Sequence, residues 1–274
     1  MSKDYFSYNR GENVIPEKDF RISPSQLSRF LDNTNEWYRE FLLGETFFTG
    51  NTATHLGTCV HAAAEMYVDS KAVDHQAIQA FVSSIKDPEV DKNFILGQYP
   101  VMAEVLINDY LADYIPSHTE LFLHNEVLPS GIHIGGSLDS LYQAPNGNLY
   151  IVDYKTTSAK SPPTRMSRSY YFQQLAYAWM ARKLGHNVSH IRLVFVTTND
   201  VNRISEKTGK PMKDYPSTAN VLDYEITDTD MEIIDNTIKL VAHSVKIWKE
   251  QPDLRYLLAQ DFRLYKPPRK LFKN

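Results

Sequence analysis

The chain has 274 residues, 42% apolar and 23% charged, which is the composition of an ordinary globular protein with room for a substantial core. Its one cysteine, Cys59, excludes a disulfide framework and any four-cysteine zinc or iron–sulfur site within the chain. No stretch approaches the ~20 apolar residues of a membrane helix, and a net charge of −4 excludes a uniformly basic nucleic-acid binder. The first 20 residues lack the apolar run of a signal peptide, so the expected location is the cytoplasm.

Residues 1–20 read as an irregular arm. In RISPSQLSRFL, Ser23 is a good helix cap, Pro24 fits the first helical position and Gln26 completes a capping box. Helices are then expected over about 54–69, 74–85 and 98–115. Segments near 120–128, 132–143 and 149–155 are rich in strand formers and separated by PSG and PNGN, so they read as an antiparallel meander. A helix stopped by Gly185 follows, then a buried strand over 191–198 and a polar loop over 200–220. A long amphipathic helix capped by Thr227 or Asp228 closes the pattern. The order predicts an α/β fold with a mixed central sheet, an antiparallel meander flanked by helices, and an N-terminal helical portion. No linker is evident, so one domain over 1–274 is expected: arm 1–20, helical part 21–118, core 119–200, and a C-terminal helix and basic tail over 221–274.

GSLDSLYQAPNGNLYIVDYKTT, residues 136–157, places Asp139, Asp153 and Lys155 in two short apolar strands around one turn. Charges there are costly unless paired or holding a metal. If Pro145-Asn146-Gly147 forms a three-residue loop, Ala144 pairs with Asn148 and Asp139 falls opposite Asp153, with Cβ atoms about 5 Å apart. A two-residue Asn-Gly loop puts the acids on opposite faces. In the first register the carboxylates repel, and a hard divalent cation such as Mg²⁺ or Mn²⁺ relieves them. Lys155 then stands on the same face, beside the metal. In a simple hairpin around PSG, Glu126 falls opposite Ile134, away from Asp139, unless a bulge at Gly135–Gly136 intervenes.

The GSLDSLY…IVDYKTT block resembles the core of the PD-(D/E)xK nuclease superfamily, in particular its RecB-like branch, where G-x-x-D precedes an (I/V)-D-x-K-T strand. SPSQLSRFL is similar to that branch's opening helix. LGTCVHAAAEMY resembles its G-x-x-x-H helix through Gly57 and His61, and QQLAYA its Q-x-x-x-Y helix through Gln173 and Tyr177. The pieces run in order over residues 23–178. The resemblance implies a restriction-endonuclease-like core, with Asp139, Asp153, His61 and the Tyr154 carbonyl on the metal and Lys155 catalytic. It also implies that Gln173 and Tyr177 stand beside the site and meet DNA. Glu65 and Glu126 are further candidates.

Because Cys59 stands alone and no phosphate-binding P-loop is present, the likeness is to cluster-free exonucleases of phages and mitochondria, with no iron–sulfur cluster. The expected activity is a Mg²⁺- or Mn²⁺-dependent exonuclease on single-stranded DNA or DNA ends, in replication, recombination or repair. A phage origin would place it in the host cytoplasm. An endonuclease and a non-catalytic DNA-binding protein are the alternatives. From Lys155 to Arg168 there are four basic residues and no acid, so Lys160, Arg165 and Arg168 are expected on backbone phosphates. A second run, Arg263 to Lys273, is equally free of acids.

Overall fold

The computed structural model describes residues 5–6, 20–45, 50–205 and 207–254. Most of the expected arm and the basic tail, Arg263 to Lys273, lie outside the described residues.

A two-residue strand β1 (Arg21–Ile22) leads into α1 (Pro24–Asp32), which starts on the expected box: Ser23 accepts from the Gln26 amide and Gln26 accepts from the Ser23 amide. A short α2 (Thr34–Trp37) follows, then α3 (Thr52–Ser70), α4 (His75–Ser84) and α5 (Lys92–Leu106). Asn51, Asp74 and Asp91 cap these last three. The α5 helix starts six residues before the expected 98, because Asp91 caps it and it runs on through Pro100. The meander is β2 (His118–Val127), β3 (Ile132–Gln143) and β4 (Leu149–Thr157). Then come α6 (Arg168–Lys183), β5 (Val188–Thr197), β6 (Ala219–Glu225) and α7 (Asp228–Glu250).

The six strands form one mixed sheet. Strand β4 runs parallel to β5, joined across α6, and β6 lies antiparallel on the outer edge of β5. The sequence reading assigned no strand here, its polar loop ending at residue 220. The residues of β6 are only half buried, and what fastens it is a cross-strand partner, Asp223, whose carboxylate takes two bonds from Arg192 at 2.6 and 2.7 Å. One apolar cluster packs α1, α6 and α7 on one face, around Leu27, Trp37, Leu175, Met180, Ile238 and Trp248. The other packs α3, α4 and α5 through Val60, Ile78, Ile95 and Met102. Among the described residues no helix is long and apolar enough to cross a membrane.

The long strand β3 carries β2 along one edge. On the other edge it carries β1 at His133–Ile134 and β4 from Ser140 onward. Gly135 to Asp139 are therefore unpaired on that edge, between the ends of two strands. Gly136 sits in this gap because a Cβ there would meet Pro24 Cδ at 3.0 Å and the Tyr177 hydroxyl at 3.1 Å.

Thr227 and Asp230 box the start of α7. Asp230, 5% exposed, accepts from the Thr227 amide (2.8 Å), the Thr227 hydroxyl (2.6 Å), the Tyr224 hydroxyl (2.9 Å) and the Tyr171 hydroxyl. Burial works against its charge, but these bonds hold its carboxyl below the usual range. Its contribution is thus present above the unfolded value of about 3.9 and is lost as pH falls through the lower folded value. Asp230→Ala is expected to cost about 2–4 kcal/mol at neutral pH, because it removes a cap and orphans two tyrosine hydroxyls. In urea melts of both proteins, that difference should shrink toward pH 3.

Candidate metal and nuclease site

The PNG turn decides how β3 and β4 meet. The Ala144 amide donates to the Asn148 carbonyl at 2.9 Å, the Gly147 amide to the Ala144 carbonyl at 2.9 Å, and Gly147 takes φ +87°. This is the three-residue loop, and Gln143 opposes Leu149, Leu141 opposes Ile151 and Ser140 opposes Val152. Continued one step, it would bring Asp139 to Asp153, but the ladder ends at Ser140. Leu138 and Leu141 both pack into the α1–α6–α7 cluster, so strict side-chain alternation breaks at Asp139. The Asp139 carboxylate, instead of its backbone, takes the Tyr154 amide proton, at 2.8 Å. The simple cross-ladder clamp of two acids is thereby corrected. The register is right, yet the strands part at the acids.

The site forms where they part. His61, from the middle of α3, donates through Nε2 to the Tyr154 carbonyl at 2.7 Å and lies 3.5 Å from Asp139 through Nδ1. The ligand atoms of His61, Glu120 and Asp139 all lie within 4.8 Å of one another. Glu120 escaped the sequence reading because of the hairpin before β3. Val127 pairs with Ile132 around a four-residue loop, and Glu126 opposes His133, one residue from the expected Ile134. In that register Glu120 stands across from Asp139. Glu120 holds a left-handed φ of +49°, uncommon for a residue with a side chain and concentrated at functional positions. Counting the loop as Leu128-Pro129-Ser130-Gly131 would have found it. Glu126 is exposed and six residues farther along the same face, about 20 Å from this position.

Asp153 is 4% exposed and faces Lys155. The ammonium donates to Oδ1 at 2.9 Å and approaches Oδ2 at 2.7 Å; Oδ2 is buried and gains no hydrogen bond of good geometry. Lys155 also lies over the Tyr170 ring of α6, 5.3 Å from its centre. Tyr177, about two turns further along α6, donates to the Ser137 carbonyl at 2.6 Å in the β3 gap, and Gln173, one turn before it, is half buried. Glu65, buried on the next turn of α3 from His61, lines the cavity of about 370 Å³ that opens onto the cluster, together with Arg21, Glu120, Asp139 and Tyr177. Lys160, Arg165 and Arg168 are exposed. Lys160 is 3.4 Å from Asp200, and Arg168 lies on Phe172 at the start of α6.

Charges in the cluster are strongly interdependent. Burial works to lower the pKa of His61, but the charge and hydrogen bond of Asp139 carry it up to about 9. Burial raises Asp139, and the His61 and Lys155 charges outweigh it, so that carboxyl sits below its usual range. Asp153 goes the other way: burial, with the Asp139 charge added, raises it despite Lys155. Burial works to lower Lys155, but the charges of Asp153 and Asp139 raise it. In this arrangement an imidazolium and an ammonium supply the positive charge that the acids require. Once His61 gives up its proton, the donors are mainly oxygens, which suit Mg²⁺ or Mn²⁺, with one imidazole. The ligand atoms of His61, Glu120 and Asp139 converge to within 4.8 Å, and the buried Asp153 Oδ2 has an ion-pair contact but no hydrogen bond, so the residues fit such an ion.

The model of the PD-(D/E)XK nuclease superfamily matches residues 21–249. The chain belongs to this superfamily. Its six-stranded mixed sheet between helices has the restriction-endonuclease-like fold that membership implies. A Eubacterium rectale protein provisionally named an exonuclease is similar in structure, with a TM-score of 0.54 at 15% identity over 87% of this chain and 84% of that one. SSO0001 gives a TM-score of 0.36 at 16% identity, covering 84% and 80%. LHK-Exo in complex with dAMP gives 0.32 at 13%, covering 76% and 97%. No curated protein matches the chain. This nuclease fold thus carries a candidate metal group of His61, Glu120 and Asp139 with an Asp153–Lys155 pair beside it.

Proposed function

We propose that the chain is a divalent-metal-dependent DNA exonuclease acting on single strands or on DNA ends. The observation that carries the reading is the convergence of His61, Glu120 and Asp139 to within 4.8 Å, next to a buried Asp153 whose partner is Lys155. The exonuclease assignment takes its support from the motif resemblance to cluster-free exonucleases.

In this reading Asp139, Asp153, Glu120, His61 and the Tyr154 carbonyl hold the ion. When bound, Mg²⁺ or Mn²⁺ supplies positive charge to the scissile phosphate and a more acidic water. The chain supplies the rest. Asp153 holds the Lys155 ammonium, which steadies charge developing on the phosphoryl oxygens. Tyr177 pins the unpaired edge of β3 at Ser137 and so fixes where Asp139 stands. Gln173, Lys160, Arg165 and Arg168 contact the strand, the basic ones through phosphates without sequence preference.

The test is a time course on end-labelled single- and double-stranded DNA, linear and circular, with Mg²⁺ or Mn²⁺. Loss of label from linear ends with closed circles intact is the expected result; cutting of closed circles makes the chain an endonuclease, and binding without cleavage makes it a DNA-binding protein. Glu120→Gln, which keeps the side-chain volume, is expected to weaken Mn²⁺ binding about tenfold or more by calorimetry. An unchanged affinity would remove Glu120 from the ligand set.

A further inference from the structure

We infer that a second cavity, outside the catalytic cluster, seats one base of the bound nucleic-acid strand and stacks it on Phe94. The inference rests on the nuclease reading and adds a binding site to it. The cavity, of about 490 Å³, lies between the first turns of α3, the start of α5 and the ends of β4 and β5. That volume is in the range of small-ligand sites.

Position is the first argument. Thr156 and Thr157, in its wall, directly follow Lys155 on β4. Along α3, Ala53 in the wall and His61 in the cluster are eight residues apart, about 12 Å. A strand held at the cluster reaches the cavity in about three or four stacked nucleotides, or fewer if extended.

The chemistry of the lining is the second. Ala53 and Leu56 give an apolar wall, and Phe94 at the rim leaves 41% of its surface in water although it begins a helix with a buried face. An exposed ring beside an apolar slot is what base stacking uses, and it tolerates any sequence. Thr156 faces α3, its hydroxyl 3.4 Å from where a Cβ on Gly57 would sit, and makes no side-chain hydrogen bond to a described residue, so it remains for a base edge or a sugar. At the mouth, Lys160 and Arg203 share a single carboxylate, Asp200, which leaves the rim one positive charge in excess for a phosphate.

The cavity is also preformed. Gln98 Nε2 donates to the Asn199 carbonyl at 3.0 Å, and its Oε1 accepts from the Asn199 amide at 2.7 Å. These two bonds tie α5 to the end of β5 and hold the Phe94 side of the slot against the strand side. A preformed slot loses little freedom on binding.

The test moves 2-aminopurine one position at a time along a single-stranded oligonucleotide and reads its fluorescence on binding without divalent metal. One position should show a marked intensity change, and Phe94→Ala should abolish it and weaken binding about five- to a hundredfold. Exposure of Phe94 predicts a melting temperature within a few degrees of the parent's, checked on the same sample. Equal intensity at all positions, a change that survives Phe94→Ala, or failure of the oligonucleotide to bind overturns the inference. The nuclease reading fails separately: a chain that shows the Phe94-dependent signal yet never cuts DNA with Mn²⁺ keeps the base pocket and loses the nuclease. A chain that cuts with no position-specific signal keeps the nuclease and loses the pocket.

Discussion

Asp139→Asn should lower metal-dependent DNA cleavage about 10³-fold, while the protein stays folded. The two effects separate because Asp139 has two jobs. Its carboxylate caps the Tyr154 amide where β3 and β4 part, and an asparagine oxygen can accept the same bond. Its charge faces His61 and the place where a cation would sit, and asparagine has no charge. With the acid gone, the ammonium of Lys155 loses one of its two opposing charges, and the site turns from acidic toward neutral. Mn²⁺ titrated by calorimetry should then bind at least tenfold more weakly. The thermal midpoint should move by only a few degrees, since the cap survives. A variant that keeps full Mn²⁺-dependent cleavage would remove Asp139 from the metal site and leave it a strand-end cap.

What the sequence made legible follows from how local each determinant is. The α1 box, the PNG loop and the Thr227 cap are each specified within four residues; the structure has the box as expected and, of the alternatives left open, the three-residue loop and Thr227. Strand β6 depends on Arg192, about thirty residues before its partner Asp223, and alternation over so short and half-buried a strand does not announce it. The same distinction runs through the site. Asp139, Asp153 and Lys155 lie in one hairpin, so a turn type sufficed to bring them near each other. Glu120 lies in the preceding hairpin, and its place depends on a loop length that PSG leaves open by one residue. A one-residue slip exchanges the two faces of a strand, so the expected register turned Glu120 away from Asp139. The break in alternation at Asp139 has no local signal: it arises because β1 and β4 share one edge of β3 and leave a gap between them.

Lys155→Met is expected to lower cleavage about 10²- to 10³-fold and also to destabilise the fold by about 3–5 kcal/mol. The second effect arises because Asp153 is 4% exposed and accepts its hydrogen bond from the Lys155 ammonium, so the substitution strands a buried carboxylate. Loss of activity in this single variant therefore does not separate a catalytic lysine from a structural ion pair. The double variant Asp153→Asn with Lys155→Met does. Neutral side chains of similar volume remove both charges together, and replacing a buried pair in this way is commonly neutral for stability. Urea denaturation should accordingly show most of the lost stability restored, giving a coupling energy of a few kcal/mol in the double-mutant cycle. Cleavage should stay as low as in either single variant, because residues acting as one unit are not additive in catalysis. If the double variant recovers cleavage along with stability, the Asp153–Lys155 pair is a structural element of the sheet, and the chemistry must be carried by His61, Glu120 and Asp139 without it.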